Sequence, residues 1–298
     1  MDGFDRLPDS LILLIFTSVS DVKTLIQCGS VCKRFYLLVP QTESLLLRID
    51  RVISSESDSE SLLLTLFKSL LYFLLPNSGT SRSPRRTHTS PAQILSHFHS
   101  IRRLRIELPS ADDELGKGTV LRWRAEFGET LKNCVILAFP LTTQNSVDTG
   151  GDDPDFEVGL KRRVMRTISS LIAASGRHYL LKEVIHEHEE MERIIVGDRD
   201  GEGVVVMERE GLREWREHGG DMMGYEDWGR TVVPCVRMRM RHDTRSDATL
   251  VVAWAAKDGS DMAEDGDLAL KAFGGGEHEE AVTGLLKSKS YILEMNSF

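Results

Sequence analysis

Histidine is the side chain most often used to hold a metal, and His186-Glu187-His188-Glu189-Glu190 supplies histidines and carboxylates in five consecutive positions. Side chains share a helix face at spacings of three and four, not two, so His186 and His188 diverge on a helix. The helical zinc motif needs its second histidine four residues after the first, and Glu190 stands there. The segment therefore reads as a solvated acidic face. Asp198 to Gly203 (DRDGEG) opens like a calcium loop, but the twelfth position of such a loop must be a bidentate carboxylate and here it is Arg209. A hairpin turn is the better reading. Cys28 and Cys32 lie four apart with no His or Cys cluster nearby, so they read as buried core thiols. Gly116-Lys117-Gly118 lacks both the third glycine of a dinucleotide loop and the GK[ST] of a phosphate loop, and no G-x-S-x-G elbow occurs. No set of residues has the spacing of a catalytic, cofactor or metal site. The expectation is a non-catalytic chain that uses no cofactor and no metal.

Two basic features invite a nucleic-acid reading. Arg237, Arg239 and Arg241 alternate with Val236, Met238 and Met240, which would line one face of a strand with positive charge. The plainer reading, and the favoured one, is the solvated face of a half-buried strand. RSPRR at Arg82 to Arg86 has the form of a short import signal or a Ser-Pro phosphorylation site. Against both stands the balance of the whole chain: 298 residues, 37 basic against 46 acidic, net charge -9. A net-acidic chain repels the phosphate backbone at long range, so nucleic acid is disfavoured as a partner.

With 41% hydrophobic residues the chain can bury a sizeable core. Its four cysteines, Cys28, Cys32, Cys134 and Cys235, form no CxxC pair, which fits a reducing compartment. The start, MDGFDRLPDS, lacks the basic opening of a signal peptide, and the apolar runs Leu11 to Phe16 and Leu70 to Leu75 are far below the roughly 18 residues of a membrane span. The expected setting is intracellular, in the nucleus, the cytoplasm or both, with no membrane partner.

The elements follow from periodicity. Residues 4 to 49 form a compact apolar block: a helix through Leu11 to Phe16 capped by Asp9 or Ser10, a second helix capped by Asp21 with Val22, Leu25 and Ile26, and, after a break at Gly29-Ser30, a short helix ended by Pro40. SSESDSES reads as loop, Leu62 to Leu75 as an apolar helix, and PNSGTSRSPRRTHTSPAQ as a flexible linker. From Ile94 strands appear. IRRLRIELP places Leu104, Ile106 and Leu108 on one face and Arg103, Arg105 and Glu107 on the other. VLRWRAEF, NCVILAFP, TVVPCVRMRMR, ATLVVAWAA and YILEM read as strands, and RIIVGDRDGEGVVVME as a hairpin around Asp-Gly. Helices are expected at Val158 to Ala174, His178 to Arg193, Leu212 to His218 and near the end; QNSVDTGGDDPD and Asp261 to Gly276 read as loops and Lys257-Asp258-Gly259 as a turn. The fold class is α+β: an N-terminal helical module followed by a mixed C-terminal domain with a mainly antiparallel sheet and no internal repeat.

The first helix poses the functional question. A helix packed on one core shows one apolar stripe, but Leu11 to Phe16 is apolar all round. A block this small cannot cover both sides, so apolar surface must meet later parts of the chain or another protein.

The block also resembles a known motif. Leu7-Pro8-Asp9-Ser10-Leu11, then Ile15-Phe16, Asp21-Val22 and Val31-Cys32-Lys33-Arg34-Phe35 are similar in type and spacing to the F-box. Val19 stands where many members carry Leu, and Phe35 where Trp is frequent, which keeps an aromatic anchor. DVKTLIQCGSVCKRF, FKSLL, SPAQIL, IRRLRIELP and RAEFGETLKNCVILAF further resemble a group of plant F-box proteins described as auxin-up-regulated. The resemblance implies a non-catalytic, substrate-recruiting subunit of a Skp-cullin-F-box ubiquitin ligase that binds a Skp-type adaptor, through it a cullin, and an unidentified protein target. It implies that Leu7, Pro8, Leu11, Ile15, Phe16, Val31, Cys32 and Phe35 bind the adaptor or form the motif's core, with the two roles left unassigned. It divides the chain into an F-box domain at 1–50, an apolar helix and linker at 51–93, and a target-recognition domain at 94–298. The alternative is a nucleic-acid-associated or other non-ligase interaction protein using the Arg237, Arg239 and Arg241 strand.

Overall fold

A computed structural model describes residues 3–49, 94–109, 119–140, 154–219, 233, 235–244, 246–255 and 265–296. The expected helix at Leu62 to Leu75, the SSESDSES loop, the Ser/Pro/Arg linker with RSPRR, Gly116-Lys117-Gly118, most of QNSVDTGGDDPD and the turn at Lys257-Asp258-Gly259 lie outside the described residues. Contacts divide the chain into two compact units that do not follow chain order. One comprises Met1–Ser110, Gly176–Arg199 and Met207–Asp221; the other comprises Ala111–Ser175, Asp200–Val206 and Met222–Phe298.

The first unit starts with a 3-10 turn, Gly3–Arg6, and three short helices: α1 (Asp9–Val19), α2 (Val22–Gly29) and α3 (Lys33–Leu38). The segment after them, SLLLR, is a strand, β1 (Ser44–Arg48), where the sequence pattern suggested only more of the apolar block. Three consecutive leucines carry no visible alternation, so periodicity is silent there. The strand is fixed by its neighbours. Leu46 donates its N–H to the Ser20 carbonyl at 2.8 Å, and β1 pairs in parallel with β2 (Arg103–Leu108), which pairs in parallel with β5 (Arg193–Asp198). The register aligns Leu45, Leu104 and Ile194 in one row and Leu47, Ile106 and Val196 in the next, all six buried. The opposite face carries Arg48, Arg103, Arg105 and Arg193, all exposed; Arg48 and Arg105 pair with Glu107, and Arg193 with Glu208. Parallel pairing suits the long stretch of chain between β1 and β2, which a tight hairpin could not span.

The helical stretch expected at His178 to Arg193 is shorter. Helix α4 (Pro154–Leu180) runs past Ala174, α5 (Lys182–Glu187) follows, and the chain is extended by Arg193. The backbone N–H groups of Glu192 and Arg193 both donate to the Arg102 carbonyl, at 2.8 and 3.1 Å, which draws the chain onto β2 instead of into another helical turn. Arg216 on α6 (Arg209–Gly219) donates to the carbonyls of His188 and Met191 at 3.0 and 3.2 Å and holds that turn.

The second unit is a mainly antiparallel sheet. β3 (Thr119–Phe127) pairs with β4 (Leu131–Pro140), β4 with β8 (Ala248–Ala255), β8 with β7 (Val236–Asp243) and β7 with β9 (Ser290–Met295), all antiparallel. β6 (Gly203–Glu208) lies parallel to β3. The acidic, Gly-containing segment expected to be a loop from Asp261 holds α7 (Asp265–Phe273), because Leu268, Ala269, Ala272 and Phe273 face Val135, Leu137, Leu250, Val252 and Trp254 on the sheet. Burying that stripe outweighs the poor helix composition. Helix α8 (Glu279–Leu286) adds Val282 and Leu285 to the same cluster.

β7 corrects the reading of its arginines as a solvated face. Arg237 is exposed and pairs with Glu294 at 2.6 Å, but Arg239 and Arg241 are buried beside Asp265, the first residue of α7, at 2.8 and 3.8 Å. Burial holds the Asp265 carboxyl above its ordinary value, and the two guanidinium groups offset only part of that rise. The pair of arginines thus anchors α7 to the sheet. Replacing Asp265 by Ala leaves two buried cations without their counter-charge and is expected to cost about 3 kcal/mol, read as a lowered urea midpoint. Arg237→Ala, which breaks only an exposed pair, is expected to cost no more than about 0.5 kcal/mol.

Candidate functional site on the N-terminal helices

Helix α1 begins after Pro8, whose backbone is extended at φ -68°, ψ 154°. No side chain caps it, so the cap expected from Asp9 or Ser10 is absent; Asp9 lies inside the first turn and pairs with Arg34 instead. Arg34 on α3 gathers the leading segment. Its Nε donates to Asp9 at 2.8 Å, its Nη1 to the Phe4 carbonyl at 3.0 Å, and its Nη2 to the Leu7 carbonyl. The Phe4 carbonyl also accepts from the Leu7 N–H at 3.2 Å, so Arg34 ties the 3-10 turn and the start of α1 to α3 at once. A ring cluster completes the junction: Phe35 stands edge-on to Phe4 and to Phe16, with centroids 5.6 and 5.3 Å apart.

Helix α2 is capped as expected. The Asp21 carboxylate accepts from the Thr24 N–H at 3.0 Å and the Thr24 hydroxyl at 2.6 Å, and Arg48 of β1 lies 3.3 Å away. The Thr24 hydroxyl, its N–H and then Arg48 hold the Asp21 pKa below its ordinary value, against a smaller opposing effect of burial.

The two sides of α1 separate cleanly. Ile12 and Phe16, four apart, are buried inward with Val22 and Leu25 of α2 and Leu38 of α3. Leu11, Leu14, Ile15 and Val19 form a second stripe, facing water. Ile26 of α2, Val31 between helices, and Tyr36 and Leu37 of α3 are exposed too, with Leu14 at 62%, Tyr36 at 70% and Val31 at 73%. Nine of the thirteen exposed large apolar side chains among the described residues fall between Phe4 and Leu37, so this surface is concentrated and not scattered. Among the described residues no later part of the chain encloses these side chains; the Leu62 to Leu75 segment, the covering helix that the sequence offered, lies outside them.

Of the residues singled out from sequence, Phe16 faces the core, Leu7 and Phe35 are half-buried, and Pro8, Leu11, Ile15, Val31 and Cys32 are exposed. Cys32 corrects the expectation of a buried thiol: it caps α3, its Sγ accepting from the Phe35 N–H at 3.4 Å, while Cys28 is half-buried. Sequence reading passed over Leu14, Ile26, Tyr36 and Leu37. The helical spacing of Leu11, Leu14, Ile15 and Val19 could have flagged Leu14; the others lie on helices too short to show a period.

The remaining chemical candidates take structural roles. His186 is exposed and His188 buried, on diverging sides. Asp198 accepts two bonds from Arg177, at 2.7 and 2.8 Å, and Gly201 takes φ 75° in the turn between β5 and β6, a conformation that favours glycine. Arg209 pairs with Glu192. Burial pushes the Cys134 thiol up to about 12, so it holds no reactive thiolate. Among the described residues no group of His, Cys, Asp and Glu could hold a metal ion, and no helix is long and apolar enough to cross a membrane.

Comparison with known proteins places this helical block. The F-box-like family model matches residues 4–51, and the chain belongs to the F-box proteins. It is 45% identical to the F-box protein AUF1 and 44% identical to the F-box protein AUF2, both of Arabidopsis thaliana, over the whole of this chain and of each relative. A third Arabidopsis relative, F-box protein At4g18380, is 36% identical over all of this chain and 94% of its own. No solved structure matches the chain.

The Asp21 cap gives a pH signature. Its folded pKa lies below the unfolded value, so its contribution is complete above the ordinary 3.8 and is lost as pH falls through the folded value. Asp21→Ala is expected to cost about 1 kcal/mol at neutral pH. Asp21→Asn keeps the acceptor and removes the titration, so unfolding followed by circular dichroism should lose part of its acid slope.

Proposed function

We propose that this chain is the substrate-recruiting subunit of a Skp-cullin-F-box ubiquitin ligase, with no catalytic group of its own. The observation that supports this reading is the apolar surface of Leu11, Leu14, Ile15, Val19, Ile26, Val31, Tyr36 and Leu37, left facing water on helices that already own a buried core. Such a surface is stable in water only at the cost of ordering solvent, and a partner that covers it gains roughly 25 cal/mol for each Å² of apolar area buried. A Skp-type adaptor is that partner in this reading, and the adaptor joins the chain to a cullin. Pro8, Leu11, Ile15 and Val31 are then contact residues, Phe16 is core, and Leu7, Cys32 and Phe35 sit at the junction that shapes the contact.

The chemistry of such a subunit is proximity. It holds a target near a ubiquitin-loaded enzyme, so the target lysine meets activated ubiquitin at a high effective concentration. Residues 94–298 are proposed to bind the target. The proposed setting is the nucleus, the cytoplasm or both, and a place in auxin response rests on the resemblance to the auxin-up-regulated group. The nucleic-acid reading loses its basic face: Arg239 and Arg241 are spent on Asp265, and Arg237 on Glu294.

Purified chain and a Skp-type adaptor should co-elute on size exclusion, and an intact chain that runs alone sinks the proposal. Leu14→Lys and Tyr36→Lys are expected to weaken the complex about 30-fold or more, as truncated anchors of this kind cost about 2 kcal/mol or more, with the thermal midpoint of the chain unchanged. Phe16→Ala is expected to do the reverse: it opens a core cavity worth about 3 kcal/mol and lowers the midpoint itself.

A further inference from the structure

The start of α1 has no local support. Pro8 brings no N–H, and no side chain caps the first turn. Ahead of it, Gly3–Arg6 is a single 3-10 turn of four residues, too short to hold itself in water. One backbone bond, from the Leu7 N–H to the Phe4 carbonyl at 3.2 Å, closes that turn. The order of the segment is imported from α3, 25 to 30 residues later. Arg34 uses all three guanidinium nitrogens on it: Nε on Asp9, Nη1 on the Phe4 carbonyl and Nη2 on the Leu7 carbonyl. Phe35, the next residue, meets the Phe4 ring edge-on at 5.6 Å. The two residues after that, Tyr36 and Leu37, belong to the exposed apolar surface, and Phe4 itself is 50% exposed.

Stability does not explain this clamp. The Arg34 and Asp9 side chains are 34% and 61% exposed, and exposed ion pairs add little to stability. The buried core of the block is Ile12, Phe16, Val22, Leu25 and Leu38, with no member in the leading segment. We propose that Arg34 is a positioning residue for docking: it holds Gly3–Pro8 against α3 in the free chain, so that Phe4 and Pro8 extend the apolar surface before a partner arrives. That the partner is a Skp-type adaptor rests on the function proposed above; the hold on the leading segment does not. A partner that meets a loose segment must order it on binding, and its apparent affinity falls by the fraction of chains already ordered. Arg34 acts through the segment and not by contact, because its donors are already engaged. Lysine has one nitrogen and no planar fork, so it does not span two carbonyls and a carboxylate together.

The test uses the full chain, with and without a Skp-type adaptor. In the free chain, hydrogen exchange is followed at the Leu7 amide and at the Leu25 amide of the core. Arg34→Gln is expected to speed exchange at Leu7 and leave Leu25 protected. With adaptor, binding kinetics are expected to show an affinity about tenfold weaker, carried by a slower association rate with the dissociation rate unchanged, since fewer chains arrive ordered. Phe4→Ala removes a contact instead and should act mainly by faster dissociation. Arg34→Lys should behave as Arg34→Gln does. Should Arg34→Gln also expose the Leu25 amide, the milder Asp9→Asn decides by the same two readouts. Three results overturn the proposal: unchanged exchange at Leu7, unchanged affinity for the adaptor, or an affinity loss carried by dissociation alone, which would make Arg34 a contact residue. An intact chain that binds no adaptor at all sinks the ligase reading instead, and the exchange of Leu7 still reads the hold of Arg34.

Discussion

A short helix can hide apolar side chains on one side only when its bundle has one core, and α1 carries them on two. Ile12 and Phe16 use the core that α1, α2 and α3 can build; Leu11, Leu14, Ile15 and Val19 have no such place. Everything else at the N-terminus has to keep the second stripe in water without letting the block rearrange to bury it. That explains why so much polar hardware serves three small helices. Arg34 ties three points of the leading segment to α3, Asp21 closes the start of α2, and β1 attaches the whole block by backbone bonds to a parallel sheet. A molten block would collapse its apolar stripe inward. A block clamped from three sides cannot.

Legibility from sequence followed the length of the periodic signal. The alternation of Leu104 and Ile106 with Arg103 and Arg105 gave β2 directly, and the Asp21 cap, the break at Gly29-Ser30 and the turn at Gly201 were readable from residue type. Elements without a period were not. Leu45-Leu46-Leu47 reads the same as helix or strand, and only Ser20 and β2 decide it. The acidic stretch from Asp265 reads as loop because its polar and glycine content hides four apolar residues at helical spacing, which matter only once the sheet face they cover exists. At the site, the F-box resemblance singled out residues on and between the first and third helices but could not separate core from surface. Phe16 and Ile15 are adjacent letters of one motif, and the turn of the helix sends one to the core and the other to solvent.

The arginines of β7 show a different limit. Alternation with apolar residues was read correctly as a strand, and incorrectly as one wet face. Arg239 and Arg241 are buried, and the cations survive there because Asp265 arrives from α7, some two dozen residues later in the chain. A buried ion pair contributes little net stability against an apolar replacement, but it is intolerant of error: the helix must start at Asp265 and the strand must hold its register, or a charge is stranded. The pair therefore fixes position more than it adds stability, and it removes positive charge from the surface where a nucleic acid would have met it.

The same logic separates charge from apolar area on the described surface of the chain. Charge on its surfaces is mostly neutralised by neighbours, as with Arg48 and Arg105 on Glu107 or Arg237 on Glu294. What is left uncompensated among the described residues is apolar area on the N-terminal helices. Apolar area is non-directional and takes its specificity from shape, so it suits a constant partner with a matching groove.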